Sequence, residues 1–161
     1  MIYIGIDNGV TGSIGIIGSG PAQFIKMPVK KELSYTKTKQ WISRINNVAL
    51  RAILTELRGD YPLQCSVAME RPMVMPGRFK ATVSALRALE ATLITVENLS
   101  LPYRYIDSKE WQKVMLPKGL KGEELKIASL DIAKRKYPTI DFKGFKDADG
   151  LLIAEYISRV V

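Results

Sequence analysis

The sequence predicts an α/β layer architecture. Short apolar runs rich in β-branched residues alternate with segments whose apolar residues recur at helical spacing, and Gly- and Pro-containing turns separate them. The predicted order of elements is β-β-β-α-β-α-β-α-α. Since the 161 residues show no repeat, no low-complexity tract and no dividing linker, we expect one domain over residues 1–161.

The N-terminal region predicts three strands joined by tight turns. The first strand covers Ile2–Asp7, and turn chemistry from Asn8 to Gly12 folds the chain back into a second strand at 13–18. A third strand is expected at 22–27. The segment 28–38 is polar and basic, and it is predicted to be a loop.

The middle of the chain predicts two long helices around a buried strand. The first helix is expected over 40–57 and ends in the turn 58–62, with Gly59 as its C-terminal cap. A wholly apolar strand follows at 66–69, and the second helix is expected at 78–96. The apolar face of the first helix comprises Trp41, Ile45, Val48, Ile53 and Leu57.

The C-terminal part predicts a fifth strand and three helices. The strand is Tyr103–Ile106, after which Asp107 and Ser108 are expected to cap a short helix that contains Trp111. A basic loop at 117–122 then leads to the last two helices. These are expected at Glu123–Lys136, whose charge distribution suits the helix dipole, and at Asp149–Val160.

The charge balance favours a polyanionic partner. Lys and Arg number 24 against 16 acids, which gives a net charge of +8 and an isoelectric point near 9.6. A cation excess of this size indicates nucleic acid before a membrane surface. The alternative is a solubility charge on an unrelated enzyme.

The residue types that are absent or rare exclude several functions. The chain contains no histidine, which removes Ser-His-Asp catalysis and His-bound zinc. Its one cysteine, Cys65, lies inside an apolar run and is expected to be a core residue in a reducing cytoplasm. No apolar run approaches ~20 residues, so we expect no membrane span, and no signal peptide is expected.

Carboxylates stand at the ends of three apolar runs. Asp7 ends the first run, Glu70 ends the run that begins at Cys65, and Asp147 and Asp149 precede the last. A charge at such a point is costly unless it is paired or binds a metal. Gathered at adjacent strand and helix ends, these acids would form an all-oxygen cage for Mg²⁺ or Mn²⁺. Such a cage suggests two-metal phosphodiester chemistry.

The acids belong to three motifs that occur in order along nearly the whole chain. The motifs are Ile4-Gly-Ile-Asp7-Asn-Gly9 followed by Thr11-Gly12, then Ala68-Met-Glu70, then Ala148-Asp149-Gly-Leu-Leu-Ile-Ala154. With them the sequence resembles the RuvC-type Holliday-junction resolvases of the RNase H-like superfamily. The absence of histidine and the ending Ala-Glu-Tyr156 look more like the phage-encoded branch.

The resemblance implies a fold and an activity. The fold would be a five-stranded mixed sheet in the order 3-2-1-4-5 flanked by helices, with Asp7 and Glu70 facing each other on neighbouring strands and Asp149 projecting toward them. The activity would be symmetric cleavage of a four-way DNA junction by a homodimer that uses two Mg²⁺ per site. The metals would activate a water and stabilise the leaving oxygen.

The sequence departs from the family pattern at the fourth ligand. Family members usually carry Asp or His three residues before the final Asp, and Lys146 stands at that position here. Asp147 is the nearest substitute. It is expected either to contact metal or to serve as the N-cap of the last helix. Lys146 is a candidate for a phosphate contact.

Two basic segments are candidates for DNA contact. Behind Glu70, basic and apolar residues alternate, and the family inserts this segment into the junction centre. The alternative is that Met73, Val74 and Met75 pack under the loop as core. Lysines on and after the short helix form the second group, for which a solvated face is the alternative. The loop lysines Lys30, Lys31 and Lys37 are of the same kind. The principal candidates are Arg71, Met73, Arg78, Lys80, Lys113, Lys118, Lys121, Lys126 and Lys146.

The helix at 78–96 predicts a homodimer. Its apolar residues cover more than the one stripe that a monomer core needs, and its small residues allow close helix approach.

Three other functions stay open. One is a ribonuclease H-like enzyme acting on hybrids, and another is a catalytically inactive junction-binding protein. The third is a sugar-kinase or actin-like ATPase, because Asp7-x-Gly9-x-Thr11 matches a phosphate-binding hairpin. That class needs two such lobes.

Overall fold

A computed structural model describes residues 1–59 and 64–160. Its central sheet has five strands in the order β3-β2-β1-β6-β7. The three N-terminal strands are antiparallel neighbours, whereas β1, β6 and β7 run parallel. This confirms the predicted mixed sheet, because the fourth and fifth strands of the prediction are β6 and β7. The strands are β1 (Ile2–Asp7), β2 (Ser13–Ile17), β3 (Gln23–Lys26), β6 (Cys65–Glu70) and β7 (Tyr103–Ile106).

A separate two-stranded sheet lies between β3 and the first helix. It pairs β4 (Val29–Leu33) with β5 (Trp41–Ile45) in antiparallel register. The predictions of a loop over 28–38 and of a helix that begins at residue 40 are therefore wrong. The five residues of β5 include a tryptophan and two isoleucines, which favour strands.

The first helix, α1 (Asn47–Arg58), begins later than predicted because Asn46 caps it. The Asn46 side chain accepts a hydrogen bond from the backbone N–H of Ala49. Gly59 is the C-terminal cap, as predicted, and its N–H donates to the carbonyl of Thr55. The predicted apolar face is wrong at Trp41 and Val48, which are exposed. The rest of the predicted turn, residues 60–62, lies outside the described residues.

The remaining helices agree with the predictions. They are α2 (Phe79–Asn98), which follows a 3-10 turn at Pro76–Arg78, α3 (Ser108–Met115), α4 (Glu123–Lys136) and α5 (Asp149–Val160). Asp107 is the N-cap residue of α3, as predicted, although its carboxylate makes no hydrogen bond to the start of that helix. Within the ranges that the structure describes, no helix is both long and apolar enough to cross a bilayer.

Helices cover both faces of the central sheet, and each face has its own core. On one face Ile4 and Ile6 pack with Leu50 and Leu54 of α1 and with buried residues of α2. On the other face Ala68 and Ile106 pack with Trp111 and with Leu151, Leu152 and Ile153 of α5. Cys65 is buried in the first core, as predicted, and burial raises the pKa of its thiol.

The last helix lies directly on β1 and β2 because two strand glycines admit it. A Cβ atom on Gly5 would lie 2.2 Å from the carbonyl oxygen of Gly150, and one on Gly15 would lie 2.2 Å from the Cα of Leu151. Only a residue without a side chain permits this approach. The N-terminal end of α5 is thereby held against the sheet.

Candidate active site

The alternation of side chains along β1 and β6 places Asp7 and Glu70 on the same face of the sheet. Ile4 and Ile6 point into the core beneath α1 and α2, so Asp7 points to the opposite face, toward α5. Val67 and Met69 share the first core, whereas Ala68 lies in the second, so Glu70 also faces α5. The parallel pairing of Ile6 with Met69 puts the two acids side by side at the ends of their strands.

Two serine hydroxyls fix the beginning of α5, where Asp149 is the first residue. The hydroxyl oxygen of Ser129 accepts a hydrogen bond of 3.0 Å from the backbone N–H of Ala148. Ser13 on β2 accepts one of 3.2 Å from the N–H of Gly150. The helix start is thus tied to both α4 and β2, which places Asp149 near enough for its charge to act on Asp7.

The charges of these acids act on one another. The pKa of Asp7 is raised well above its usual value, first by burial and then by the negative charges of Glu70, Asp149 and Asp147. Burial and the charge of Asp147 raise the pKa of Asp149 to about 7, although a hydrogen bond from Ser129 opposes the shift. The arrangement therefore disfavours ionisation of these carboxyls unless positive charge is supplied.

The donor set fits a hard divalent cation in its chemistry, because it consists of carboxylate oxygens. In its geometry it is more open than a closed ligand cage. Among residues 1–59 and 64–160, no group of three or more His, Cys, Asp or Glu side chains stands close enough together to enclose a metal ion. The carboxylates would therefore have to turn inward to hold Mg²⁺ or Mn²⁺ between them, and Asp7, Glu70 and Asp149 are the residues placed to do so.

A buried tryptophan of α3 also contacts the site. The indole N–H of the buried Trp111 donates a hydrogen bond of 3.2 Å to a carboxylate oxygen of Glu70. The sequence places Trp111 in the short helix after Asp107 and carries no signal for this bond. The roles of Ser13 and Ser129 were missed for the same reason, since both depend on contacts distant in sequence.

A cleft of about 320 Å³ opens beside Asp7 and Glu70. Its wall includes three of the predicted DNA-contact residues, Arg71, Met73 and Arg78. Met73 is 66% exposed, and Val74 and Met75 are exposed as well. The alternative in which these apolar side chains pack under the loop as core is therefore wrong. The structure brings Asp7 and Glu70 together with this loop in one cleft.

Arg71 is held in place at the mouth of this cleft. Its guanidinium contacts both carboxylate oxygens of Asp107, at 3.1 and 3.2 Å, and lies over the ring of Tyr105 at 5.8 Å from the ring centre. Asp107, the N-cap residue of α3, therefore also orients Arg71.

Asp147, which was predicted to be either a metal ligand or the N-cap of α5, lies at the edge of the site. A carboxylate oxygen of Asp147 accepts a contact of 3.5 Å from the N–H of Asp149, which is long for a helix cap. Its negative charge contributes to the raised pKa of both Asp7 and Asp149. Asp147 also lines a groove of about 360 Å³ together with Lys126 and Lys146.

The predicted lysines divide into two groups. Lys126 and Lys146 line the groove beside Asp147, and the pKa of Lys126 is raised mainly by its hydrogen bond to Glu123, with smaller effects from Asp147 and Asp149. In the part of the chain that is described, the other four line neither the cleft nor this groove. They are Lys80, Lys113, Lys118 and Lys121, and all are exposed.

A third groove, of about 380 Å³, lies away from the acids. Its lining comes from β5, α1 and α2, and includes Arg44, Arg51 and Arg87. None of the four candidate carboxylates lines it.

The five-stranded mixed sheet and its flanking helices match the fold of RuvC. The structure of T. thermophilus RuvC in complex with a Holliday junction substrate is similar, with a TM-score of 0.63 at 13% identity, covering 99% of this chain and 96% of that one. A second Thermus thermophilus RuvC structure has a TM-score of 0.59 at 16% identity with the same coverage.

The yeast mitochondrial Holliday junction resolvase Ydc2 has a TM-score of 0.48 at 14% identity, covering 97% of this chain and 77% of that one. No protein-family model matches the chain, and no curated protein sequence matches it. At these identities the likeness is one of fold.

Proposed function

We propose that this protein is a structure-selective endonuclease that cleaves four-way (Holliday) and related branched DNA junctions by metal-dependent hydrolysis. The observation that carries the proposal is that Asp7 and Glu70 stand side by side beside a cleft lined by Arg71, Met73 and Arg78, with Asp149 near enough for its charge to act on Asp7. The net charge of +8 and the RuvC topology support a DNA substrate.

The catalytic residues that we propose are Asp7, Glu70, Asp149 and Asp147, which would hold two Mg²⁺ or Mn²⁺ ions. When bound, the ions supply a nucleophilic water and stabilise the leaving oxygen. Trp111 holds the Glu70 carboxylate in orientation through its hydrogen bond. Lys126 and Lys146 stand beside Asp147, where they would contact the phosphate backbone.

The exposed loop after Glu70 suits a junction better than a continuous duplex. Arg71 is fixed by Asp107, whereas Met73 projects into solvent at the edge of the cleft. An exposed apolar side chain between basic ones can enter between bases where stacking is already interrupted. We propose that Met73 acts as this wedge, with Arg78 on the neighbouring phosphates.

A homodimer through the helix at 78–96 is part of the proposal. Leu86 and Ile94 are exposed apolar residues on α2, while Ala88, Thr92 and Val96 bury its other face. An exposed apolar face with small neighbours suits close packing against a second copy. Light scattering at micromolar concentration tests this directly, and a monomer with and without DNA contradicts it.

The decisive experiment compares three labelled substrates in Mg²⁺: a four-way junction, a linear duplex of the same arm sequence and an RNA–DNA hybrid. We expect paired nicks in the junction and little cleavage of the other two. Preferred cleavage of the hybrid favours the ribonuclease H-like alternative. Binding without cleavage by the wild-type protein favours the inactive junction-binding alternative.

The proposed location of the reaction is the cytoplasm of a bacterium or phage-infected host, with which the single unpaired thiol of Cys65 agrees.

A further inference from the structure

The β4–β5 hairpin carries a large share of the positive charge of the chain. Residues 29–45 contain Lys30, Lys31, Lys37, Lys39 and Arg44 but one acid, Glu32. This leaves four positive charges, half of the net charge of +8. Glu32 pairs with Lys30 and Arg44 on one face, and among the described residues no ion pair involves Lys31 or Lys37. Their charges remain available to a partner.

Aromatic side chains on the same hairpin are exposed. Tyr35 at the tip is 82% exposed and Trp41 is 71% exposed, and Leu33, which pairs with Trp41 across the two strands, is also exposed. Exposed aromatic residues interleaved with lysines are the combination that stacks on bases while neutralising phosphates. A surface that served solubility alone would have no use for the aromatic residues.

The tip of the hairpin is held in one shape by its own hydrogen bonds. The backbone N–H of Ser34 donates to the carbonyl of Gln40 at 2.8 Å, and the N–H of Gln40 donates back to the Ser34 hydroxyl at 3.2 Å. Thr36 donates to the carbonyl of Thr38 at 2.8 Å, and the Lys39 ammonium donates to the carbonyl of Ser34 at 3.2 Å. A tip ordered before binding loses little entropy when a partner is bound.

The root of the hairpin is fixed next to the candidate active site. Met27, just before β4, donates its N–H to the carbonyl of Gly12 at 3.0 Å, and Gly12 belongs to the loop that follows Asp7. Asn46, just after β5, donates to the carbonyl of Pro28 at 2.9 Å. Met27 and Ile45 are buried in the core. The hairpin therefore projects from the same loop region that positions the first carboxylate.

A lysine-lined groove connects the site to this root. The groove of about 360 Å³ next to Asp147 is lined by Lys126 and Lys146, and also by Lys26 and by Val29, the first residue of β4. The Lys26 ammonium lies 5.3 Å from the ring centre of Phe145, which also lines the groove. Three cations on one groove suit a phosphate backbone.

We propose that the β4–β5 hairpin is a DNA-contacting arm, which grips the duplex arm next to the cleavage point. The backbone of that duplex arm would follow the groove past Lys126, Lys146 and Lys26 and continue onto the hairpin, where Lys31 and Lys37 contact phosphates. Tyr35 and Trp41 contact sugars and bases. The inference rests on the proposed function, because DNA is its partner.

Charge reversal tests the arm. Binding is measured in Ca²⁺, which is used to permit binding without cleavage. Lys31→Glu/Lys37→Glu is expected to weaken junction binding at least tenfold. The slope of log affinity against log salt concentration should also become shallower, by an amount that corresponds to about two released ions. The matched control, Lys134→Glu/Arg135→Glu on the last turn of α4, reverses two exposed charges that line neither the cleft nor the groove. Equal affinities for the two variants overturn the arm, provided that both melt as the wild type does.

Tryptophan fluorescence tests it on the unmodified protein. Of the two tryptophans, Trp111 is fully buried and Trp41 is exposed, so acrylamide quenching reports on Trp41. We expect junction DNA to shield it, and Trp41→Phe to remove the accessible signal. Unchanged quenching at saturating junction overturns the arm. If Trp41 instead becomes shielded as the protein concentration rises without DNA, the hairpin contacts a second copy of the chain, and the arm is overturned.

The two proposals fail in different ways. A wild-type protein that binds no junction in either assay contradicts the proposed function, and the arm falls with it. The arm alone is contradicted if the wild-type protein cleaves junctions, Trp41 stays accessible and Lys31→Glu/Lys37→Glu binds normally. The proposed function is then retained.

Discussion

The indole N–H of Trp111 on α3 donates a hydrogen bond of 3.2 Å to the carboxylate of Glu70 at the end of β6. Trp111 is fully buried, and its bond restrains the orientation of the Glu70 carboxylate. A core residue thus orients a proposed metal ligand. The position of α3 is coupled to the chemistry through this one contact.

Trp111→Phe is expected to lower the cleavage rate about tenfold and to raise the Mg²⁺ concentration at half-maximal rate. The phenylalanine keeps most of the apolar contact but leaves Glu70 without its donor, at a cost to stability of about 1–3 kcal/mol. Junction affinity in Ca²⁺ should not change. A Mg²⁺ titration of the cleavage rate measures the effect, and a curve that coincides with the wild type removes the positioning role.

Asp149→Asn is expected to stabilise the metal-free protein at pH 8 and to leave its stability unchanged near pH 3. The folded-state pKa of Asp149 is raised to about 7, above an unfolded value of about 3.9, so the folded protein binds the extra proton between these two values. Stability is therefore lost as the pH rises through this window, and asparagine removes the loss. Thermal melts in EDTA at the two pH values measure it.

Mg²⁺ supplies the control for that experiment. Added at pH 8, it should raise the melting temperature of the wild type more than that of Asp149→Asn, because the ion neutralises the repulsion that the substitution already relieves. Equal shifts in both proteins would mean that Asp149 does not contribute to ion binding.

Asp7→Asn is expected to reduce cleavage by at least about a thousandfold while junction binding stays intact or becomes tighter. The substitution removes a ligand oxygen, and it also removes a negative charge that repels phosphate. Gel-shift binding in Ca²⁺ and cleavage in Mg²⁺ are measured on one preparation. Cleavage within tenfold of the wild type would exclude Asp7 from the site.

Gly5→Ala is expected to destabilise the protein by about 3 kcal/mol or more and to impair cleavage. The added Cβ would lie 2.2 Å from backbone atoms of Gly150 and Ala154, so α5 must move and Asp149 moves with it. Gly77→Ala is the matched control, because a Cβ there meets no atom within 4 Å among the described residues. Urea denaturation of the two variants compares the free energies of unfolding.

The carboxylate positions were predictable because they depend on local signals. Asp7 and Glu70 end apolar strands, and the two-residue repeat of a strand fixes the face to which each points once the neighbours are known. Asp149 begins a strongly apolar helix. The strand order followed from resemblance to the RuvC-type resolvases, and the structure confirms it.

The hairpin was not predictable from the same signals. Trp41 and Ile45 fit a helical stripe with the residues of α1, and nothing in the spacing separates a five-residue exposed strand from the first turns of a helix. The available signal was Asn46, a preferred N-cap residue directly before α1. The bond from Trp111 to Glu70 joins residues distant in sequence and has no local signature.

Asp147→Asn separates the two roles that remain for Asp147. Asparagine caps a helix as well as aspartate does, so a residue that only caps α5 should lose little activity and little stability. A residue that holds metal loses a charged ligand oxygen, and the cleavage rate should fall by two orders of magnitude or more with an unchanged melting temperature. The cap contact is long, at 3.5 Å, whereas the charge of Asp147 acts on both Asp7 and Asp149. We therefore expect the loss of activity.

Lys146→Asp, which restores the family spacing, should then recover part of the rate in the Asp147→Asn background. A Mg²⁺ titration that is the same for Asp147→Asn and the wild type would leave Asp7, Glu70 and Asp149 as a three-acid site.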